Sequence, residues 1–299
     1  MCLWHNALLR RLYDLAYPMQ TCLDNSERTL MRPTNRENFS LAIYDLFEGV
    51  CHWRLWYMLG LNEIKHRYRR SSLGPFWLTL SVGVQVLVMG FIFGFLFEHK
   101  IERFIPFLCI SLVLWTFLST TIMDGSNSLV NASSLITQVK RPLSVHILQA
   151  VWRNIIILCH TIVIFVVVSL AFGMFPGATW LLAPFGFFIF LANIAWISLF
   201  VAILSARFRD VPLIVQNAFT ILFWLTPVFY KPEQLGEGTM ADLVLLNPLF
   251  HILEVVRAPL ILQYPSTANW LIAGACAVFG WAITILLFSR ARARIAYWV

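Results

Sequence analysis

Charge is scarce in this chain. Asp, Glu, Lys and Arg make up 12% of its 299 residues, about half the roughly 25% of an ordinary soluble domain. With 59% of residues hydrophobic, that scarcity excludes a water-exposed surface of normal size and points to a chain solvated by lipid. The six cysteines, Cys2, Cys22, Cys51, Cys109, Cys159 and Cys276, form no CxxC pair, so disulfide and zinc frameworks are not indicated. None of the fourteen glycines precedes a lysine, which removes the phosphate loop of an ATPase. No DxD pair is present to hold a sugar nucleotide's metal, and the seven histidines show no HxxxH spacing. Gly125-Ser126 lacks the flanks of a nucleophile elbow. Catalytic, cofactor-binding and metal-binding residues are therefore not assigned. No secretory signal peptide is evident, because a long polar segment precedes the first apolar stretch. An internal repeat, the mark of many secondary carriers, is also missing.

What is present is a set of long apolar runs: Pro75–Phe97, Phe104–Met123, Ile155–Phe172, Leu181–Leu204, Leu213–Tyr230 and Trp270–Phe288, none containing Asp, Glu, Lys or Arg. A helix needs about 20 apolar residues to cross a hydrocarbon core of roughly 30 Å. Period-two alternation is absent, so a barrel is excluded. The expected fold is an all-α polytopic membrane protein with six transmembrane helices. Of the 22 Lys and Arg, only Lys100, Arg103, Lys231 and Arg257 fall on one side of these runs. The positive-inside rule then puts both termini in the cytoplasm. The basic balance is membrane topology, and no nucleic acid is implied. The spans lack the buried acids of an ion-coupled carrier. Gln216, Asn217 and Asn193 lie inside them, as interhelical hydrogen-bonding groups or as part of a pathway.

Three units follow along the chain: a cytoplasmic tail over 1–38, an amphipathic interfacial helix over 39–74 and a six-helix membrane domain over 75–299. In the second unit Asp45, Glu48, Gly49 and His52 predict one polar helix face. Trp53, Trp56 and Tyr57 suit a membrane–water interface. The cluster Lys65-His-Arg-Tyr-Arg-Arg lies where anionic headgroups would be. This segment is a topology anchor or a working element. The loop from Asp124 to Gln149 predicts a short helix near Ser133, a break at Pro142 and a second helix from Leu143. It is a surface loop or a docking site for a soluble partner. After the fifth run, two short apolar stretches around Leu243 and Leu249 are interrupted by Asn247-Pro248 and ended by Pro259. They are too short to span, so a re-entrant helical hairpin is expected. Glu254 and Arg257, three apart, can pair, as a structural lock or as a substrate contact.

Several phrases together resemble type-2 ABC exporter permeases for bacterial polysaccharides. They are Asn62-Glu-Ile-Lys-His-Arg-Tyr-Arg-Arg-Ser-Ser-Leu-Gly-Pro-Phe-Trp, Ser205-Ala-Arg-Phe-Arg-Asp-Val-Pro, Phe223-Trp-Leu-Thr-Pro-Val-Phe-Tyr and Asn247-Pro-Leu-Phe-His-Ile-Leu-Glu-Val-Val-Arg-Ala-Pro-Leu, with Arg292-Ala-Arg-Ile-Ala-Tyr-Trp at the end. O-antigen (lipopolysaccharide) export permeases are the nearest in pattern. Capsule and teichoic-acid exporter permeases are similar. The resemblance covers about 40–299 and leaves out 1–30. It implies a homodimer in the bacterial inner membrane with two ATP-binding cassette subunits, which carry the ATP and Mg. It implies that Ser40–Ser72 is a gate helix and that Asn131–His146 is the coupling loop, with Ser134, Gln138, Lys140, Arg141 and His146 as contact candidates. Arg207, Arg209 and Asp210 form a second cytoplasmic loop. Asn247, Glu254 and Arg257 belong to a periplasmic gate. The implied cargo is a lipid-linked polysaccharide carried on a polyprenyl diphosphate or similar lipid. Arg67, Arg69 and Arg70 then become candidates for its anionic headgroup, since Arg suits bidentate phosphate contact. They could equally bind bulk anionic membrane lipid. A small-lipid or drug exporter of the same fold, an integral membrane transferase and a membrane scaffold are the competing readings.

Overall fold

The computed structural model describes residues 35–69, 71, 74, 76–96, 101–139, 141–230 and 238–299. Residues 1–34 of the expected tail, Arg70, Lys140 and the loop 231–237 lie outside the described residues, while 35–38, expected in the tail, open the first helix. The described chain is helical, in the order α1 (Asn35–Cys51), α2 (Trp53–Tyr68), α3 (Phe76–Leu96), α4 (Ile101–Asn131), α5 (Ser133–Gln138), α6 (Ser144–Ala171), a 3-10 turn (Ala178–Leu182), α7 (Ala183–Arg207), α8 (Val211–Leu225), α9 (Thr239–Leu246), α10 (Pro248–Leu260) and α11 (Thr267–Trp298).

Local signals set several ends. Pro184 and Pro212 sit in the first turns of α7 and α8, where a missing N–H costs nothing. Gly173, at φ 68°, follows α6 in the left-handed conformation, and Met174 N–H closes back on Ser169 O at 2.8 Å, a common glycine stop. Ser266 caps α11 by accepting from Asn269 N–H at 3.2 Å.

Five stretches are long and apolar enough to cross a membrane: Phe76–Phe95, Ile101–Asn131, Ser144–Ala171, Ala178–Arg207 and Thr267–Trp298. The fifth expected run, Leu213–Tyr230, instead yields α8, a helix of 15 residues. At 1.5 Å per residue it rises about 22 Å, short of a hydrocarbon core of roughly 30 Å. Thr226 ends it in an extended conformation (φ −87°, ψ 134°), because the ring of Pro227 disfavours a helical residue before it.

Two other boundaries move. Run two does not stop at Met123: α4 continues to Asn131 and carries Asp124. Run three begins at Ser144, so α6 carries Arg153. The expectation that no acid lies within the long apolar helices fails at Asp124. The physical reason is pairing, since Asp124 and Arg153 bond to each other and a neutralised pair is tolerated at the end of an apolar helix. The single expected interfacial helix is two, broken at His52 (φ −79°, ψ 39°).

α4 is the axis of the fold. Leu108, Ile110, Leu118 and Ile122 are fully buried, and α4 packs against α3, α6, α7 and α10. α7 packs in turn on α10 and α11, and α11 on α1. Small residues allow the closest approaches. At Gly186 on α7 an added Cβ would lie 2.1 Å from the carbonyl oxygen of Val255 on α10. Backbone cannot swing aside as a side chain can, so the G186A variant should lose about 1–3 kcal/mol. Thermal unfolding of the purified protein in detergent measures this, and an unchanged midpoint would contradict the close contact.

Candidate functional site

Helices α3, α4, α6 and α8 line a cavity of about 660 Å3. Its α4 wall runs from Leu112 to Asp124, which at 1.5 Å per residue is about 18 Å along the helix. The wall mixes hydroxyls and amides (Ser81, Gln85, Thr116, Thr120, Gln216, Thr220) with the rings of Trp115, Phe219, Phe223 and Trp224. Trp115 sits 5.9 Å from Phe219 and 5.7 Å from Phe223, centre to centre. Charge enters only at the end nearest α2, through Arg67 and Asp124. Gln216 is thus a wall residue. Asn193 is not. It is fully buried, donates to Ala273 O on α11 at 3.1 Å and accepts from Trp196 Nε1–H at 3.0 Å, so its role is helix joining.

At the α2 end, Arg67 is exposed and borders the cavity. Arg69 follows α2 as its exposed C-terminal cap. The expected polar face of α1 turns inward: Asp45 is fully buried and Gly49 is buried with it. Trp56 and Tyr57 pack on Trp152 of α6, with ring centres 5.8 and 5.3 Å away, while Trp53 remains exposed. The coupling-loop candidates separate by burial. Ser134 and Gln138 lie exposed on α5, and Arg141 is exposed beyond it. His146 is buried at 9% exposure and lines two small cavities, one of them shared with the exposed Arg141. Arg207, Phe208, Arg209 and Asp210 form an exposed turn. Arg207 lies over the rings of Phe208 and Trp298, and Arg209 Nη2 donates to Trp298 O at 3.3 Å. That turn is tied to the end of α11.

Past the far end of α8, α10 packs on the turn that follows it. Asn247 caps α10 by accepting from Leu249 N–H at 3.0 Å, and its Nδ2 donates to Thr226 Oγ1 at 2.8 Å. Arg257 pairs with Glu254. It also donates to Pro227 O at 2.5 Å and Ser111 Oγ at 3.1 Å, and it lies 4.6 Å over the Phe107 ring. Asn247 and Arg257 therefore grip the same Thr226-Pro227 turn at the end of α8, which lines the cavity. Glu254–Arg257 is a structural lock with its partners on two other segments, α4 and the turn after α8.

Two residues, Asp45 and Arg153, are central in roles that the sequence reading did not give them. Asp45 Oδ1 accepts from Ser144 N–H at 3.1 Å, and Oδ2 accepts from Leu143 N–H at 3.3 Å and from Arg292 Nε at 2.9 Å. α6 has no side-chain cap of its own, so a residue of α1 supplies it. Arg153, 5% exposed, bridges Glu63 of α2 and Asp124 of α4. Neither contact could be found from local spacing. Among the described residues no three of His, Cys, Asp and Glu converge where a metal ion could sit.

Residues 54–261 match the family described as ABC-2 type transporter. The chain is 28% identical over 198 residues to an O-antigen export system permease protein RfbA of Myxococcus xanthus, covering 66% of this chain and 76% of that protein. It is 25% identical over 192 residues to a protein of the same name from Klebsiella pneumoniae, covering 63% of this chain and 73% of that one.

Proposed function

This chain belongs to the ABC-2 type transporter family, and from that premise we propose that it is the membrane permease subunit of an ATP-driven exporter of O-antigen-like, lipid-linked polysaccharide. The carrying observation is the cavity wall, in which hydroxyls and amides alternate with aromatic rings and charge is confined to one end. Hydroxyls and amides replace water around a sugar chain, and ring faces stack on sugar rings without fixing one position. The names of the similar proteins support the same cargo.

In this reading the protein lies in the inner membrane of a bacterium with both termini in the cytoplasm, as its lysines and arginines favour. α8 and the turn to Tyr230 form a sixth, short crossing, and α9–α10 form a re-entrant gate on the periplasmic side. α1–α2 lie along the cytoplasmic leaflet, where Arg67, Arg69 and Arg70 attract an anionic headgroup. A second copy completes the conduit. α8 buries none of its residues within the protomer, and its Leu213, Ile214 and Ile221 are more than half exposed. Two ATP-binding subunits, holding ATP and Mg, dock below on Ser134, Gln138 and Arg141 and on the Arg207–Asp210 turn.

Depleting the protein in cells should cause lipid-linked glycan to accumulate on the cytoplasmic face while its synthesis continues. Loss of glycan synthesis itself would overturn the reading in favour of an enzyme.

A further inference from the structure

Four charged side chains meet where α2, α4 and α6 converge. The Arg153 guanidinium donates from Nη1 to Glu63 and from Nη2 to Asp124. Each carboxylate also holds an amide: Gln149 Nε2 donates to Glu63 Oε2 at 3.0 Å, and Asn154 Nδ2 to Asp124 Oδ2 at 2.8 Å. Arg67, the fourth, borders with them a polar cavity of about 250 Å3. Arg67 and Asp124 also stand in the wall of the large cavity, so the small cavity adjoins its charged end. Arg153 Nε is buried without a partner, a costly state for a charged donor.

This is the donor set of an anion site. It has two guanidiniums, one with a donor to spare, and two amides aimed at carboxylate oxygens. Phosphate oxygens accept the same bonds in the same bidentate geometry. The two carboxylates differ in how readily they can leave. Asp124 is anchored in the core helix α4, whereas the Glu63 side chain is 38% exposed and sits on α2. We propose that Arg153 and Arg67 form a phosphate-ester site for a diphosphate. Glu63 fills it as an internal substitute, and the arriving ligand displaces Glu63 and loosens α2 from α6. The choice of a diphosphate rests on the exporter reading above. After displacement, Gly60 still seats α2 against Trp152, where an added Cβ would meet the ring at 3.0 Å. α2 would then pivot there without detaching.

The test uses the full chain in nanodiscs, with farnesyl diphosphate, inorganic pyrophosphate and phosphatidylglycerol as probes. E63Q keeps the side chain's shape and an acceptor for Arg153 but removes the competing charge. It should bind farnesyl diphosphate about tenfold more tightly than the parent protein. In the parent protein, amide exchange across residues 53–68 should rise when the probe is added. R153Q should lose binding, and if it misfolds, E63Q carries the test alone. A plain structural ion pair predicts that E63Q binds no tighter and that exchange ignores the probe, and that result would overturn the proposal. Inorganic pyrophosphate binding as tightly as the farnesyl ester would support the site with a free anion as its ligand. An equal response to phosphatidylglycerol would overturn it in favour of general lipid contact. Unchanged E63Q binding alongside the glycan accumulation described above would sink this site and leave the exporter reading standing. E63Q-dependent binding without that accumulation would do the reverse.

Discussion

R257L should lose about 3–5 kcal/mol of stability and with it nearly all export. Arg257 is 2% exposed, and its guanidinium serves Glu254, Pro227 O and Ser111 Oγ at once. Leucine takes the donor from a largely buried carboxylate, 15% exposed, and from the buried carbonyl of Pro227. Lysine should not rescue it, since one ammonium cannot reach Glu254 and Pro227 together while lying flat on Phe107. The E254L/R257L pair should recover much of the loss, because no charge is then left unpaired. Thermal unfolding of the purified variants, beside surface glycan in cells, checks all three. A stable, active R257L would contradict the lock between α10, α4 and the turn after α8.

The second large effect is expected at Asp45. D45A strands two backbone N–H groups at the start of α6 and the Arg292 guanidinium, and should cost about 3–5 kcal/mol. R292A should cost only about 1 kcal/mol, because that side chain is 31% exposed and its loss leaves Asp45 still bonded to Leu143 and Ser144. The asymmetry separates a helix cap borrowed from another segment from a simple ion pair, which would make the two variants alike. D45N, with one acceptor oxygen and no charge, should fall between them. Denaturation midpoints of the three variants in one detergent decide the order.

Local chemistry made much of the architecture legible. Asn247-Pro248 reads as a break and is a helix cap followed by a first-turn proline. Glu254 and Arg257 read as a pair and are one. The short helix at Ser133 and the break before Leu143 lie where residue types put them. What escaped depends on partners far along the chain. Cutting the apolar runs at the first charge removed Asp124 and Arg153 from their helices, although the two, 29 positions apart, neutralise each other. Spacing correctly put Asp45 and Gly49 on one face, yet the face is buried because its partners are Ser144 and Arg292. For α8 the signal was present, since Thr226 precedes a proline, but hydrophobicity alone ran through it to Tyr230.

The Asp45–Arg292 contact also orders events in time. The two residues stand 247 positions apart, which a ribosome adding about 5–20 residues per second covers in roughly 12 to 50 seconds. Throughout that interval the acid of α1 has no cation to meet and is held by the first turn of α6 alone. The seating of α1 is therefore finished in two stages, first on α6 and then on α11, and a product lacking α11 leaves the second face of α1 uncovered.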